Sequence, residues 1–330
     1  MCYLERRISV GRVVRRRRAK LAVGPGGGQH VGVRSGHFRA RKPLPFLAIF
    51  GLDSQWRWRI IRAGSVRPRS KGGRCVNISV CCMELHPILA AVALVIQMKA
   101  GSPIGTASGF FFRFGSNKFF VTNKHVVAGD PQKPQVPKPD TIRLRLHTDA
   151  KNIQKSDWLS IALYTEAGSK VWKEHPSADV AMIPLKDEDV SHFFVTWIQP
   201  SDYLPSDLVI FPGDDVFIIG YPEAFYDSTN NLPVFRNAFI ATAYGVPFKG
   251  LPLFLTDARL HPGMSGSPVF TKPKNTWVDA KGNTQLRTGV SYFLLGIHSG
   301  TVEWPPATQD PLGLGAAWYA SVLDEIVASK

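Results

Sequence analysis

Ser265 lies in HPGMSGSPVF (261–270), where two glycines, two prolines and two serines share ten positions. A serine hydroxyl is a weak nucleophile. It needs a base to take its proton, a third group to orient that base, and N–H donors aimed at the oxyanion that forms. Gly263, two residues earlier, can adopt the backbone angles that turn its N–H toward such an oxyanion, and Gly266 lets the chain leave the tight turn. Ser267 is the rival nucleophile, but no glycine stands two residues before it. Seven histidines follow residue 82 and are candidate bases. His125 is distinguished by its setting in FFVTNKHVVAGD, directly after a strand pattern and before a turn of small residues. Thirteen aspartates separate His125 from Ser265. Asp179 opens the apolar run DVAMIPL, which would bury its carboxylate at a strand start, and a buried acid needs a partner.

The elements that must carry these groups read as β-strands. From residue 89 onward, short runs rich in Val, Ile, Phe and Tyr recur between Gly, Pro and Asp punctuation. Examples are TASGFFFRF, KFFVTN, TIRLRLH, WLSIALY, DVFIIGYP, PLFLTDA and VSYFLLGIHSG. That pattern predicts an all-β barrel or sandwich. The apolar stretch Leu85–Met98, which includes AAVALVIQM, reads as a buried strand entering the fold. The one helical pattern is AAWYASVLDEIVASK at the end. There Trp318, Val322, Leu323, Ile326 and Val327 form an apolar stripe able to dock on a barrel. PQKPQVPKPD (131–140) holds four prolines and is expected as a surface loop.

The order His, Asp, Ser, in TNKHVV, ADVAMIPL and GMSGSPVF, resembles the trypsin-like (chymotrypsin-fold) serine proteases. IGTASGFFF, GDDVFIIGYP and LTDARLHPGMSGSP resemble the HtrA-like bacterial branch. The resemblance runs from about residue 90 to residue 325. It implies two six-stranded antiparallel β-barrels with the site in the cleft between them, and a C-terminal helix. His125 would be base, Asp179 orienter and Ser265 nucleophile, with the N–H groups of Gly263 and Ser265 as oxyanion hole. The expected layout is an N-terminal barrel over 83–200 carrying His125 and Asp179, and a C-terminal barrel over 201–330 carrying Ser265. Met264 stands where secreted digestive relatives carry an acid that pairs with a freed N-terminus, so activation by propeptide cleavage is not expected. No PDZ-like segment is expected.

LLGIHSG (294–300) resembles the GIH stretch of glutamyl endopeptidases and picornavirus-type proteases. By that analogy His298 faces the pocket for the residue before the scissile bond, and Ser299 and Gly300 pair with the substrate backbone. Arg259 falls at the pocket floor, where a cation would favour an acidic substrate side chain. Leu260 sits where the glutamyl enzymes carry a hydroxyl, which leaves a small or apolar pocket open as the alternative.

The formal charge of +15 invites a nucleic-acid reading, but it is confined to one end. Residues 1–82 hold 19 Lys and Arg against 2 Asp and Glu, whereas the rest hold 21 against 23. The basic segment lacks apolar periodicity and reads as a disordered or mis-annotated extension, with the working protein starting near Met83. All four cysteines (Cys2, Cys75, Cys81, Cys82) lie in it, without zinc-ligand spacing, so neither metal nor cofactor is expected. No run is built to span a bilayer, and Glu84 stands where a signal peptide wants positive charge, so the cytoplasm is expected over export. The expected partners are protein or peptide substrates. The rival readings are a catalytically silent binding module of the same fold, and nucleic-acid binding through residues 1–82.

Overall fold

The computed structural model describes residues 86–131, 134–301 and 312–329; the basic segment 1–82 and its cysteines lie outside them. The chain opens with one helical turn, α1 (Pro87–Ala91). It then forms β1 (Val92–Lys99), β2 (Ser102–Phe114) and β3 (Asn117–Thr122), the short helix α2 (Lys124–Ala128), β4 (Thr141–His147), β5 (Ser156–Ala162), β6 (Lys173–Glu174) and β7 (Ala181–Leu185). After the short helix α3 (Asp187–Val190) come β8 (Asp215–Gly220), β9 (Val234–Ile240), β10 (Leu253–Asp257), β11 (Pro268–Thr271), β12 (Lys274–Val278), β13 (Thr284–Ser291), β14 (Leu294–Thr301), β15 (Leu314–Tyr319) and the helix α4 (Val322–Ala328).

The all-β reading with a C-terminal helix holds, and the second half is the expected closed six-stranded barrel, in the order β10-β15-β14-β11-β8-β9. The first half differs from a six-stranded barrel. It is a seven-stranded sheet, β5-β4-β1-β2-β3-β7-β6. Its edges meet without a continuous ladder, through a Tyr164–Lys170 bridge and a hydrogen bond of 3.0 Å from Val171 N–H to the Leu163 carbonyl. β6 is two residues long, which leaves too little strand for a full seam.

Period-2 alternation along β2 explains how the halves are joined. Phe110, Phe111 and Phe112 are consecutive and all fully buried, because both faces of the strand are covered. Phe111 packs inside the first sheet with Phe120, Val126, Ile142 and Leu144. Phe110 and Phe112 point the other way, into a core shared with Phe217, Phe270, Leu294 and Ile297 of the barrel and with Val322, Leu323 and Ile326 of α4. Burying each such ring is worth about 1.5–3 kcal/mol, so the two halves are held as one body. The barrel interior is a third core, built around Ile218, Phe254, Met264, Val269, Trp277 and Leu295.

Two expected elements are corrected. The stretch expected as one strand is not one over its described residues: Pro87 at the first helical position and the His86 side chain, which accepts from Ile88 N–H, start a helical turn that passes into β1. The C-terminal helix covers only Val322–Ala328, and Trp318 belongs to β15, paired with Leu253 of β10 and Ile297 of β14. Residues 134–138 of the proline-rich stretch are exposed, as a surface loop should be. No helix among the described residues is long and apolar enough to cross a membrane.

Candidate active site

His125 sits in α2, the single helical turn that follows β3. Asn123, just before it, donates from Nδ2 to the Asp179 carbonyl at 2.7 Å and so ties the turn to the segment entering β7. The Asp179 carboxylate accepts from the His125 backbone N–H at 2.9 Å and meets His125 Nδ1 at 2.6 Å. Ser299 Oγ donates to the same carboxylate at 2.6 Å. A carboxylate can only accept here, so Nδ1 carries the proton of the neutral ring and Nε2 keeps its lone pair. Both side chains are about three-quarters buried, with 25% and 26% exposure, which shields the pair while leaving the ring edge open.

Ser265 is presented by backbone conformation. Gly263 has φ of +92°, and a Cβ there would stand 2.5 Å from the Tyr221 carbonyl and 2.9 Å from Glu223 N. Gly266 has φ of +85°, and a Cβ there would collide with the Ser108 carbonyl and the Thr122 hydroxyl. Both glycines are therefore required, by conformation and by space. Among the described residues, neither the Gly263 nor the Ser265 N–H meets an acceptor. The loop is pinned to the first sheet by Ser108 of β2. Its N–H donates to the Ser265 carbonyl at 2.8 Å and its hydroxyl to the Gly263 carbonyl at 2.8 Å, while that hydroxyl accepts from Tyr221 N–H at 2.9 Å.

The structure thus brings His125, Asp179 and Ser299 into one hydrogen-bonded group. Ser265 joins it through Ser299, whose carbonyl accepts from Ser265 Oγ at 3.1 Å. No hydrogen bond joins Ser265 Oγ to His125. Ser267 is fully buried, with Met264 Sδ beside its hydroxyl, so it is out of reach as a nucleophile. Met264 is itself fully buried in the barrel core, an apolar plug where the digestive relatives place an acid.

The residues assigned to the specificity pocket behave unequally. His298 is buried, with its pKa lowered to about 4 chiefly by loss of solvent and secondarily by the charge of His125, so it is neutral near pH 7. Its ring lies over Gly315, where a Cβ would stand 3.1 Å from His298 Cε1. Leu260 is half-buried against the barrel core. Arg259 is exposed, its carbonyl held by Arg236 Nη2 at 2.7 Å, so no buried cation floors a pocket there. Gly300 is half-exposed at the end of β14, and residues 302–311, which follow that strand, lie outside the described residues. Sequence reasoning missed two polar anchors, Ser108 and the hydroxyl of Ser299 aimed at Asp179. A small polar residue between Ala107 and Gly109, just ahead of the apolar run Phe110–Phe112, is the only sequence hint of the first.

The fold and this group define an all-β protein of chymotrypsin-like architecture. The family profile for the trypsin-like peptidase domain matches residues 107–278, more than half the chain. The chain belongs to that family, which is one of serine proteases. Solved structures similar to it include a serine endoprotease from Yersinia pestis, at 16% identity and a TM-score of 0.39 over 72% of this chain and 62% of that one. Another is an inactive form of Rv3671c from M. tuberculosis H37Rv, at 16% identity and a TM-score of 0.41 over 80% of this chain and 96% of that one. A comparison with curated proteins gives no match.

Proposed function

We propose that this chain is a serine endopeptidase that cleaves peptide bonds through Ser265, His125 and Asp179. The observation that carries the reading is the Asp179 carboxylate, which takes both the backbone N–H and Nδ1 of His125 and leaves Nε2 as a base. Ser265 Oγ turns about its Cα–Cβ bond from the Ser299 carbonyl toward His125 when substrate enters, in keeping with the looser catalytic hydrogen bonds of ligand-free sites. Oγ then bonds to the substrate carbonyl carbon as Nε2 takes its proton. The negative oxygen is received by the N–H groups of Gly263 and Ser265. The imidazolium returns the proton to the leaving nitrogen as the C–N bond breaks, giving an acyl-enzyme. Water repeats the sequence to release the acid and restore Ser265.

For the side chain before the scissile bond, a preference for carboxylates would need a cation in the pocket. His298 is neutral and Arg259 is exposed, so an uncharged or small side chain is the better-supported substrate group. Ser299 and Gly300 would pair with the substrate backbone as an added strand. A silent binding module of the same fold is the second reading, favoured by the Ser265–Ser299 hydrogen bond. A peptide library separates the two. The enzyme reading expects turnover that disappears in Ser265→Ala, with cleavage profiles lacking Asp and Glu before the cut. Binding without turnover supports the silent module.

A further inference from the structure

The Asp179 carboxylate is held on a short turn, and that turn is built around a histidine the mechanism does not use. His175 is only 5% exposed. Its backbone N–H donates to the Val180 carbonyl at 3.1 Å, closing the segment on both sides of Asp179. Inside the turn its Nδ1 lies 2.8 Å from Ala178 N and 3.2 Å from Ser177 N. Backbone N–H groups only donate, so Nδ1 is the lone-pair nitrogen and Nε2 carries the ring proton. Nε2 in turn lies 3.0 Å from Glu325 Oε2 on α4. The same helix is tied down on either side, by Tyr203 Oη to Asp324 at 3.1 Å and by Lys173 Nζ to the Ser329 carbonyl at 3.2 Å.

We propose that His175 is a positioning residue for the serine-protease chemistry above: its Nδ1 shapes the turn that carries Asp179, and Glu325 of the C-terminal helix fixes the ring that does so. The inference rests on the assignment of Asp179 as orienter. Ser177 is exposed, but Ala178 and Val180, the neighbours of Asp179, are almost completely buried, so the Ala178 N–H has no water at hand as a substitute acceptor. Losing the acceptor would let the carboxylate drift from His125, and a displacement of that kind acts on the chemical step rather than on substrate binding. The ring proton of His175 is in turn steered by Glu325, an exposed carboxylate, so the helix contributes the weaker part of the effect.

The two ring nitrogens can be removed separately. In His175→Asn the amide oxygen stands near the place of Nδ1, while the reach to Glu325 is lost. In His175→Gln the side chain reaches Glu325 but leaves the turn without its acceptor. We expect kcat on a peptide substrate to fall about tenfold in His175→Gln at unchanged KM, and to stay within about threefold of the parent in His175→Asn and Glu325→Leu. Amide hydrogen exchange over residues 175–181 should quicken about tenfold in His175→Gln and remain near the parent rate in His175→Asn. A purely structural role would lower the melting temperature of the two His175 variants with no difference between them in kcat or exchange. That result, or no change in either, overturns the proposal. If the parent protein turns over no peptide, the protease reading fails, and the exchange rates alone still decide whether Nδ1 shapes the turn.

Discussion

The first sheet and the barrel hold their shares of the site by different means. His125 and Asp179 are placed by side chains: Asn123 bonds the Asp179 carbonyl, His175 accepts from Ser177 and Ala178 of the turn that carries Asp179, and Ser299 bonds the Asp179 carboxylate. Ser265 is placed chiefly by backbone, on a loop whose two glycines have positive φ and whose C-terminal flank runs into the ladder of β11, β14 and β8, with the Ser108 hydroxyl as a side-chain tie to the Gly263 carbonyl. The sheet can leave its edges joined by one bridge and one hydrogen bond because its two polar groups are held by specific bonds. The barrel presents bare N–H groups at a fixed angle, which two glycines at positive φ and the closed ladder around them hold.

The contrast predicts which substitutions are tolerated. The largest effect is expected from Asp179→Asn, which leaves the backbone alone but lets the amide offer a donor to Nδ1. A kcat about 10⁴-fold below the parent with an unchanged fold is expected, and steady-state kinetics beside circular dichroism checks it. A loss under tenfold would mean that the sheet does not set the base. Next is Gly263→Ala, a backbone change that no neighbouring side chain can compensate. It is expected to lower kcat by about 10²–10³-fold and to destabilise the protein as well, measurable by thermal melting.

The third effect concerns acid. His298 in the barrel and His86 beside α1 both have pKa values lowered to about 4, in each case mainly by burial. Between about pH 6.5 and 4 the unfolded chain takes up protons that these folded histidines refuse, so stability falls as pH falls through that window. For His298 the full effect is about 3 kcal/mol. Asp202 works the other way: burial raises its pKa to about 6, so the folded state binds a proton sooner than the unfolded chain and gains as pH drops from 6 toward 3.8. His147, also lowered mainly by burial, adds to the two histidines, and Asp324, raised mainly by burial, adds to Asp202. The histidines outweigh the carboxyls, so the melting temperature is expected to be lower at pH 4.5 than at pH 7. His298→Asn should shrink the difference. An unchanged slope in that variant would show that the barrel histidine is not the cause.

Much of this was readable from residue types. The strand runs are in place because alternation and turn residues are local properties, and Gly263 was legible because few other residues adopt its backbone angles. Asp179 was legible because an acid at the head of an apolar run must find a partner. Trp318 was misread because a strand followed by a two-residue break (Ala320, Ser321) and a helix yields apolar spacings that mimic one continuous helical stripe. Tertiary pairing with β10 and β14 decides its state, and no local signal carries that. The hairpin of β12 and β13 escaped notice because it is largely exposed and has little apolar alternation to display. Ser108, Ser299 and His175 were out of reach for a further reason. Their partners lie 155, 120 and 150 residues away in sequence, and polar contacts over such distances leave no periodicity.

The central claim is that the Ser265 hydroxyl, activated by the His125–Asp179 pair, is the nucleophile. Treating the intact protein with a fluorophosphonate and locating the adduct by mass spectrometry tests it directly. The account predicts a single modified residue, Ser265, and a labelling rate that collapses in Asp179→Asn. Labelling at another serine, or none at Ser265 in folded protein, would contradict it.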